Sequence, residues 1–250
     1  MLAPMLEPIT RRSVTEAVFD QLKAVILRGD VPAGERLPAE RDLAARLGVN
    51  RNAVREALQR LAQLRLVSIQ AGGATRVLDF KAHAGLELLS SLLFGSDGVP
   101  RVDAIRSMVE LRTALGPDIA ARAATRRADA VVPRLHALVE AMSEIEDGDP
   151  VRLQQSSLAL WRVLVDASGN VAYALLMNTL ESAYRGVGDV VAPALAEELR
   201  DLAGYRALVR AVEQRDAIRA RRAAERLVTK GEAGITALVS ARPRPTKEKR

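Results

Sequence analysis

Arg51 and Arg55 stand four residues apart in NRNAVREALQRLAQL, a spacing that brings two guanidinium groups within about 40° of each other around a helix. Val54, Leu58 and Leu61 fall on the other side and form an apolar stripe, so the two arginines project together into solvent. A guanidinium can donate two parallel hydrogen bonds to O6 and N7 of guanine, and it donates to phosphate oxygens equally well. Arg41 can join the pair from the side, while Asn52 and Gln59 share much of the exposed face with groups suited to phosphate or base edges. Between residues 41 and 60 five arginines stand against Asp42 and Glu56, which makes the segment attractive to a polyanion. Further along, Gly72 and Gly73 have no side chains to hold a sugar-phosphate backbone away, and Thr75 and Arg76 are candidate phosphate donors.

A second set of residues suits a small molecule with an apolar body. Leu158 to Tyr184 carries Trp161, the only tryptophan, with Tyr173, Met177 and Tyr184 at helical spacings, and Asn178 and Arg185 as polar candidates. Such residues line ordinary cores as readily as ligand pockets. Arg112, inside the otherwise apolar VELRTALG, is suited to anchoring a carboxylate or phosphate; an internal ion pair accounts for it equally well.

The elements that must position these groups change character along the chain. Val14, Val18, Leu22, Val25 and Ile26 recur at helical spacing until GDVPAG stops them. LPAERDLAARLG reads as a second short helix beginning near Pro38 and broken by Gly48, and Asn50 can cap a third. In RLVSIQAGGATRVLDF the period becomes two: Val67 and Ile69 alternate with polar residues, Gly72-Gly73 can turn, and Thr75 to Leu78 can return. Three helices and a hairpin describe a winged helix-turn-helix. Beyond residue 81 strand signals vanish, and helices are expected near 81–94, 101–127, 129–146, 150–167, 171–186, 194–213 and 216–240. The expected fold is mostly α, a DNA-binding winged helix-turn-helix over 1–80 and an all-helical effector-binding bundle over 81–240. The last residues, 241–250, form a basic tail expected to be disordered.

Composition narrows the function further. With 250 residues and 48% hydrophobic residues the chain can bury a sizeable core. A formal charge of +6 and a pI near 10.1 favour a polyanionic partner, although the tail alone holds five cations against Glu248. No run of about 18 apolar residues and no secretion signal is evident, so a cytoplasmic protein without membrane association is expected. There is no cysteine, and the two histidines, His83 and His136, stand near no plausible serine partner. Without a nucleophile and base in reach, or a glycine-rich phosphate loop, an enzyme, such as one handling acyl-CoA, is not expected.

GDVPAGERLPAERDLAARLGVNRNAVREALQRLAQLRLVSI is similar to the winged-helix domain of the GntR family of bacterial transcription regulators, over roughly residues 10 to 78, and the helical remainder resembles the effector domain of its FadR branch. Many members of that branch hold a divalent metal on an aspartate and three histidines; the matching positions here are Ser157, Trp161, Tyr205 and Leu227, none of them a conventional histidine or carboxylate ligand. No metal or other cofactor is implied, and Tyr205 joins the candidate effector-binding residues. QAGGATRVLDF, AGLELL and ASGNVAYALLMNTLESAYRGVG look like stretches of the branch's metal-free members that respond to long-chain fatty acyl-CoA. The resemblance implies a homodimer on a palindromic operator in double-stranded DNA, controlling fatty acid metabolism and released when acyl-CoA occupies the helical domain. It assigns base reading to Arg41, Arg51 and Arg55 and the wing tip to Gly72. Asn52 and Ala53 replace threonines of those members, and Ala71 replaces a wing histidine. GEAG at 231–234 resembles the segment that approaches the CoA moiety, but Thr236 and Ala237 stand where an aromatic would follow. The alternative effector is a smaller organic acid sensed without metal.

Overall fold

The structure is a computed structural model that describes residues 13–70, 74–93, 99–127, 129–145 and 148–241. The chain forms two compact units that divide between Leu88 and Leu89.

In the first unit, helix α1 (Val14–Arg28) starts at Ser13, whose hydroxyl accepts the Glu16 N–H, and ends at Gly29 in the left-handed region, φ +79°. Its buried residues Val18, Phe19, Leu22 and Ile26 pack on α3 (Arg51–Gln63), which buries Ala53, Val54, Ala57, Leu58 and Leu61. Helix α2 (Glu40–Leu47) begins two residues after Pro38 and closes at Gly48, φ +66°. The chain then enters α3 through Asn50, whose Oδ1 accepts the Ala53 N–H at 2.8 Å.

Strands β1 (Val67–Ile69) and β2 (Thr75–Val77) form the expected antiparallel hairpin, pairing Val67 with Val77 and Ile69 with Thr75. The wing is also tied to the α1–α2 connection. Leu37 N–H donates to Thr75 O at 2.9 Å, Val77 N–H to Glu35 O at 2.9 Å and Gly34 N–H to Val77 O at 2.8 Å. These bonds fix where the hairpin leaves the helical body.

Apart from a lone bridge residue at Pro100, the regular structure among the second unit's described residues is helical, as the sequence pattern implies. It comprises α5 (Leu89–Leu92), α6 (Val102–Arg126), α7 (Val131–Ser143), α8 (Pro150–Ala167), α9 (Val171–Ala194), α10 (Ala196–Leu199), α11 (Leu202–Glu213) and α12 (Ala217–Ala241). Helices α6 and α12 pack along much of their length, and α8, α9 and α11 complete a core that includes Ile105, Met108, Leu160, Leu164, Tyr205 and Leu208.

Three expected helices differ in extent. The segment 81–94 is not one helix but α4 (Phe80–His83), a 3-10 turn at Leu86–Leu88, and α5; Ala84 after α4 is extended. The first two of these pieces belong to the first unit. Helix α9 runs through Gly186 and Gly188 to Ala194, because Val187 and Val191 continue the buried stripe of Leu180 and Tyr184. The segment 194–213 is broken at Asp201, which caps α11 by accepting the Gly204 N–H at 2.9 Å.

Candidate functional site

In the first unit, Arg51, Asn52, Arg55 and Gln59 are all exposed on α3, opposite the residues that bury the helix against α1. The Asn50 cap fixes the first turn, so the two arginines project from a rigid N-terminal end. Arg41 is also exposed, 3.5 Å from Asp42. The neighbouring carboxylate Glu56 accepts the Thr15 hydroxyl at 3.0 Å. Arg60 is set apart from this surface: its guanidinium lies 4.2 Å from the Phe19 ring centroid and 3.7 Å from Glu16.

The wing corrects one assignment. Thr75 is 4% exposed, with its side chain turned into the unit on the same side of β2 as buried Val77, so it sets strand packing and cannot serve as a phosphate donor. Arg76 lies on the other side of β2 and is half-buried; its Nη1 donates to Gly34 O at 2.8 Å, leaving other guanidinium N–H groups for phosphate. Gly72 lies outside the described residues, as do 242–250 of the basic tail, whose first residue, Ala241, is instead the last of α12.

In the second unit, α6, α8 and α9 enclose a small apolar cavity. Helix α6 contributes Leu111, Arg112, Leu115, Gly116 and Ile119; α8 contributes Leu158, Trp161 and Val165; α9 contributes Tyr173, Leu176, Met177, Leu180 and Tyr184. Its volume is about 40 Å³, room for one or two water molecules and far below the several hundred Å³ of typical ligand pockets. Gly116 lets the indole lie against α6: a methyl there would sit 3.3 Å from Trp161 Cη2 and 3.2 Å from Val228 Cγ1.

Of the effector-binding residues expected from sequence, Arg112, Trp161, Tyr173, Met177 and Tyr184 meet at this cavity. Asn178 and Arg185 do not. Each follows a lining residue directly, and the turn of about 100° per residue carries both to the exposed face of α9. Tyr205 is fully buried but lies behind the cavity, where its hydroxyl meets Ser157 Oγ at 2.8 Å and donates to Glu198 Oε1 at 3.4 Å. Burial holds the Tyr205 phenol far above its ordinary pKa.

Glu198 has no signal in the sequence, since LAEELRD reads as a polar surface turn. In the fold it is fully buried and pairs with Arg112 Nη2. Burial pushes the Glu198 carboxyl up and Arg112 opposes the shift. Burial alone would lower the Arg112 pKa; Glu198, with Tyr184 and Tyr205, outweighs it and raises it. Asp118 is a second carboxylate beside the cavity residues that sequence reasoning missed. It accepts from Arg122, from Tyr173 OH at 2.8 Å and from Arg221 at 2.8 Å, and so holds the cavity tyrosine in place.

The positions at which metal-binding relatives carry ligands hold the Ser157–Tyr205 hydrogen bond, the Trp161 ring and the fully buried Leu227. A hydroxyl, a phenol, an indole and an alkyl group do not fit a divalent cation. Among the described residues no group of three or more His, Cys, Asp or Glu is placed to hold a metal ion.

Residues 14–77 match the gntR family of bacterial regulatory proteins, and residues 107–230 match the FCD domain. Over 234 residues the chain is 36% identical to the HTH-type transcriptional regulator Mce2R of Mycobacterium tuberculosis, spanning 94% of this chain and 96% of that one. The chain belongs to the GntR family.

This GntR regulator is also 34% identical, over 158 residues and 63% of each chain, to the fatty acid metabolism regulator protein of Erwinia tasmaniensis. Its fold is similar to that of Lar, which controls expression of the Listeria monocytogenes agr system, with a TM-score of 0.56 at 15% identity over 92% of this chain and 100% of that one. The GntR domain implies DNA binding and the FCD domain a small-molecule effector. The family and the relatives matched are transcription regulators rather than enzymes. Among the described residues no helix is long and apolar enough to cross a membrane.

Proposed function

We propose that this GntR regulator controls fatty acid metabolism from the cytoplasm, binding a palindromic operator as a homodimer and loosening its hold when long-chain fatty acyl-CoA enters the helical unit. Arg51 and Arg55 read base edges in the major groove; Arg41, Asn52 and Arg76 contact the flanking backbone or bases, and the wing tip at Gly72 approaches the minor groove. The observation that carries the effector reading is the cavity itself, whose walls are aliphatic and aromatic and whose one cation already has an internal counter-ion. An apolar chain is the natural occupant of such walls, since a polar ligand loses hydration there without recovering it. The likeness to a fatty acid metabolism regulator supports the same reading.

A cavity of about 40 Å³ cannot hold a long acyl chain as it stands. The chain must part α8 and α9 from α6, and that separation is the structural work through which binding reaches the rest of the molecule. A ligand acts on an equilibrium only through such differences between states. The small volume also supports a second reading, a metal-independent sensor of a smaller organic acid.

The test is a titration of protein bound to a DNA site selected from a random pool, with long-chain acyl-CoA, free fatty acid, CoA and short organic acids in parallel. Release by the acyl-CoA alone is the expected result. Release by a short acid alone establishes the second reading, and no response to any of the four overturns both.

A further inference from the structure

Helices α11 and α12 pack on each other and leave between them a groove of about 450 Å³, within the range of roughly 300–1,000 Å³ usual for small-molecule sites. Buried Ala211 and Ala223 are among its lining residues, and four arginines rim it: Arg210 from α11 and Arg219, Arg222 and Arg226 from α12. The last three follow at intervals of three and four residues, which sets them on one side of the helix.

The arginines of these two helices and their connection are unevenly paired. Arg206, Arg215 and Arg221 do not line the groove, and each has a carboxylate partner: Glu140 at 3.5 Å, Asp129 at 3.1 Å and Asp118 at 2.8 Å. In the groove Arg219 lies 3.3 Å from Asp216. Arg210, Arg222 and Arg226 are exposed and form no ion pair or side-chain hydrogen bond among the described residues; the charge of Arg226 reaches Asp201, but Lys230 holds that carboxylate. Like charges three and four residues apart weaken a helix, so this concentration of cations costs stability until an anion enters.

The surroundings decide the size of that anion. Exposed Glu213 on α11 and Glu225 on α12 lie outside the groove lining and oppose the long phosphate track of a duplex, whereas a compact ligand meets the arginines alone. Guanidinium forks match phosphate oxygens two at a time. A phosphoanhydride chain packs several negative charges into a few bonds, which suits three uncompensated cations around one groove.

We propose that the α11–α12 groove binds a compact phosphoanhydride anion, inorganic polyphosphate or a nucleoside triphosphate, through Arg210, Arg222 and Arg226. The site is separate from the apolar cavity, whose described lining comes from α6, α8 and α9, and does not depend on which effector that cavity takes.

The experiment is calorimetric titration of the full chain with tripolyphosphate, ATP, AMP and citrate. It uses the natural protein, the double variant Arg222→Gln with Arg226→Gln, and Arg206→Gln. Tripolyphosphate and ATP are expected to bind, and AMP at least about tenfold more weakly, the scale of one charge-assisted hydrogen bond. The tighter of the first two tells the inorganic chain from the nucleotide. The double variant is expected to weaken both by about tenfold or more. Arg206→Gln removes a cation already paired with Glu140 and is expected to leave both unchanged. All three substituted side chains are exposed, so the variants keep the fold. AMP binding as tightly as ATP, or citrate binding more tightly than tripolyphosphate, overturns the phosphoanhydride assignment in the natural protein alone. Failure of both polyphosphates to bind, affinity unchanged in the double variant, or an equal loss in Arg206→Gln overturns the site. A parallel titration with a random DNA duplex covers the remaining occupant: weaker duplex binding by the double variant, with no binding of tripolyphosphate or ATP, gives the groove to nucleic acid and sinks the proposal.

Discussion

Arg112 on α6 and Glu198 on α10 form an ion pair in which the carboxylate side chain is wholly enclosed and the guanidinium nearly so, at 13% exposure. The pair joins a 25-residue helix to one of a single turn, which also packs on α12, α8 and α9. Removing one partner of a buried pair strands the other charge. Arg112→Ala and Glu198→Ala are each expected to cost about 3–5 kcal/mol in urea unfolding, while Arg112→Met with Glu198→Leu costs less than either. A double variant as unstable as the sum of the singles would show that the two residues do not act as a pair.

Arg51→Ala and Arg55→Ala are each expected to lose about 1–3 kcal/mol of operator affinity and to relax discrimination at one base position, if both make bidentate base contacts. Arg60→Ala, although on the same helix, is expected to leave discrimination intact, because its guanidinium is placed over Phe19. Competition between the selected site and random DNA measures both effects. Unchanged discrimination in the first two variants would remove them from base reading.

Asp118 supplies a pH prediction. Hydrogen bonds from Arg122, then Tyr173 and Arg221, hold its carboxyl at about 2, below the ordinary 3.8, with burial opposing. A group whose pKa is lowered by folding stabilises the fold above its unfolded value and loses that contribution as pH falls toward the folded value. The stabilisation from Asp118 is therefore fully present at neutral pH and is lost between about pH 4 and pH 2. Asp118→Asn is expected to lower the Tm at neutral pH and to converge on the natural protein near pH 2. Parallel Tm curves across that range would dissociate Asp118 from acid sensitivity.

Gly234 offers a packing test. Alanine is favoured over glycine inside a helix by roughly 0.5–1 kcal/mol, but a methyl here would fall inside contact distance of the Ala194 carbonyl. Gly234→Ala is expected to destabilise by about 1–3 kcal/mol. Gly231 is similarly crowded by Glu198 and Leu195, which gives the GEAG segment a packing role against α9 and α10. A Gly234→Ala protein as stable as the natural one, by thermal unfolding, would mean that α12 can yield there.

The first unit was legible from local signals because its information is local: Asn50 caps α3, Gly48 ends α2, and the two-residue period marks the hairpin. Thr75 escaped because alternation says which residues share a face and not which face turns inward. Asn178 and Arg185 were drawn to the cavity by their chemistry, although helical phase sets them beside Met177 and Tyr184 rather than among them. Glu198 could not be found from sequence, since its burial depends on α10 closing against α12 at Gly231, a contact between residues more than 30 positions apart. The cavity followed the same rule. Its aromatic and sulfur-bearing walls were apparent, whereas the partners that fix them, Asp118 for Tyr173 and Glu198 for Arg112, are tertiary facts.

Trp161 lies in the wall of the apolar cavity between α6, α8 and α9, its ring against Gly116, and no second indole exists in the chain. The protein thereby carries its own optical reporter. Any movement of α8 away from α6 changes the polarity around a single known chromophore, with no label attached. Helix α3 contains no tryptophan, so this emission reports on the surroundings of a single ring within the second unit.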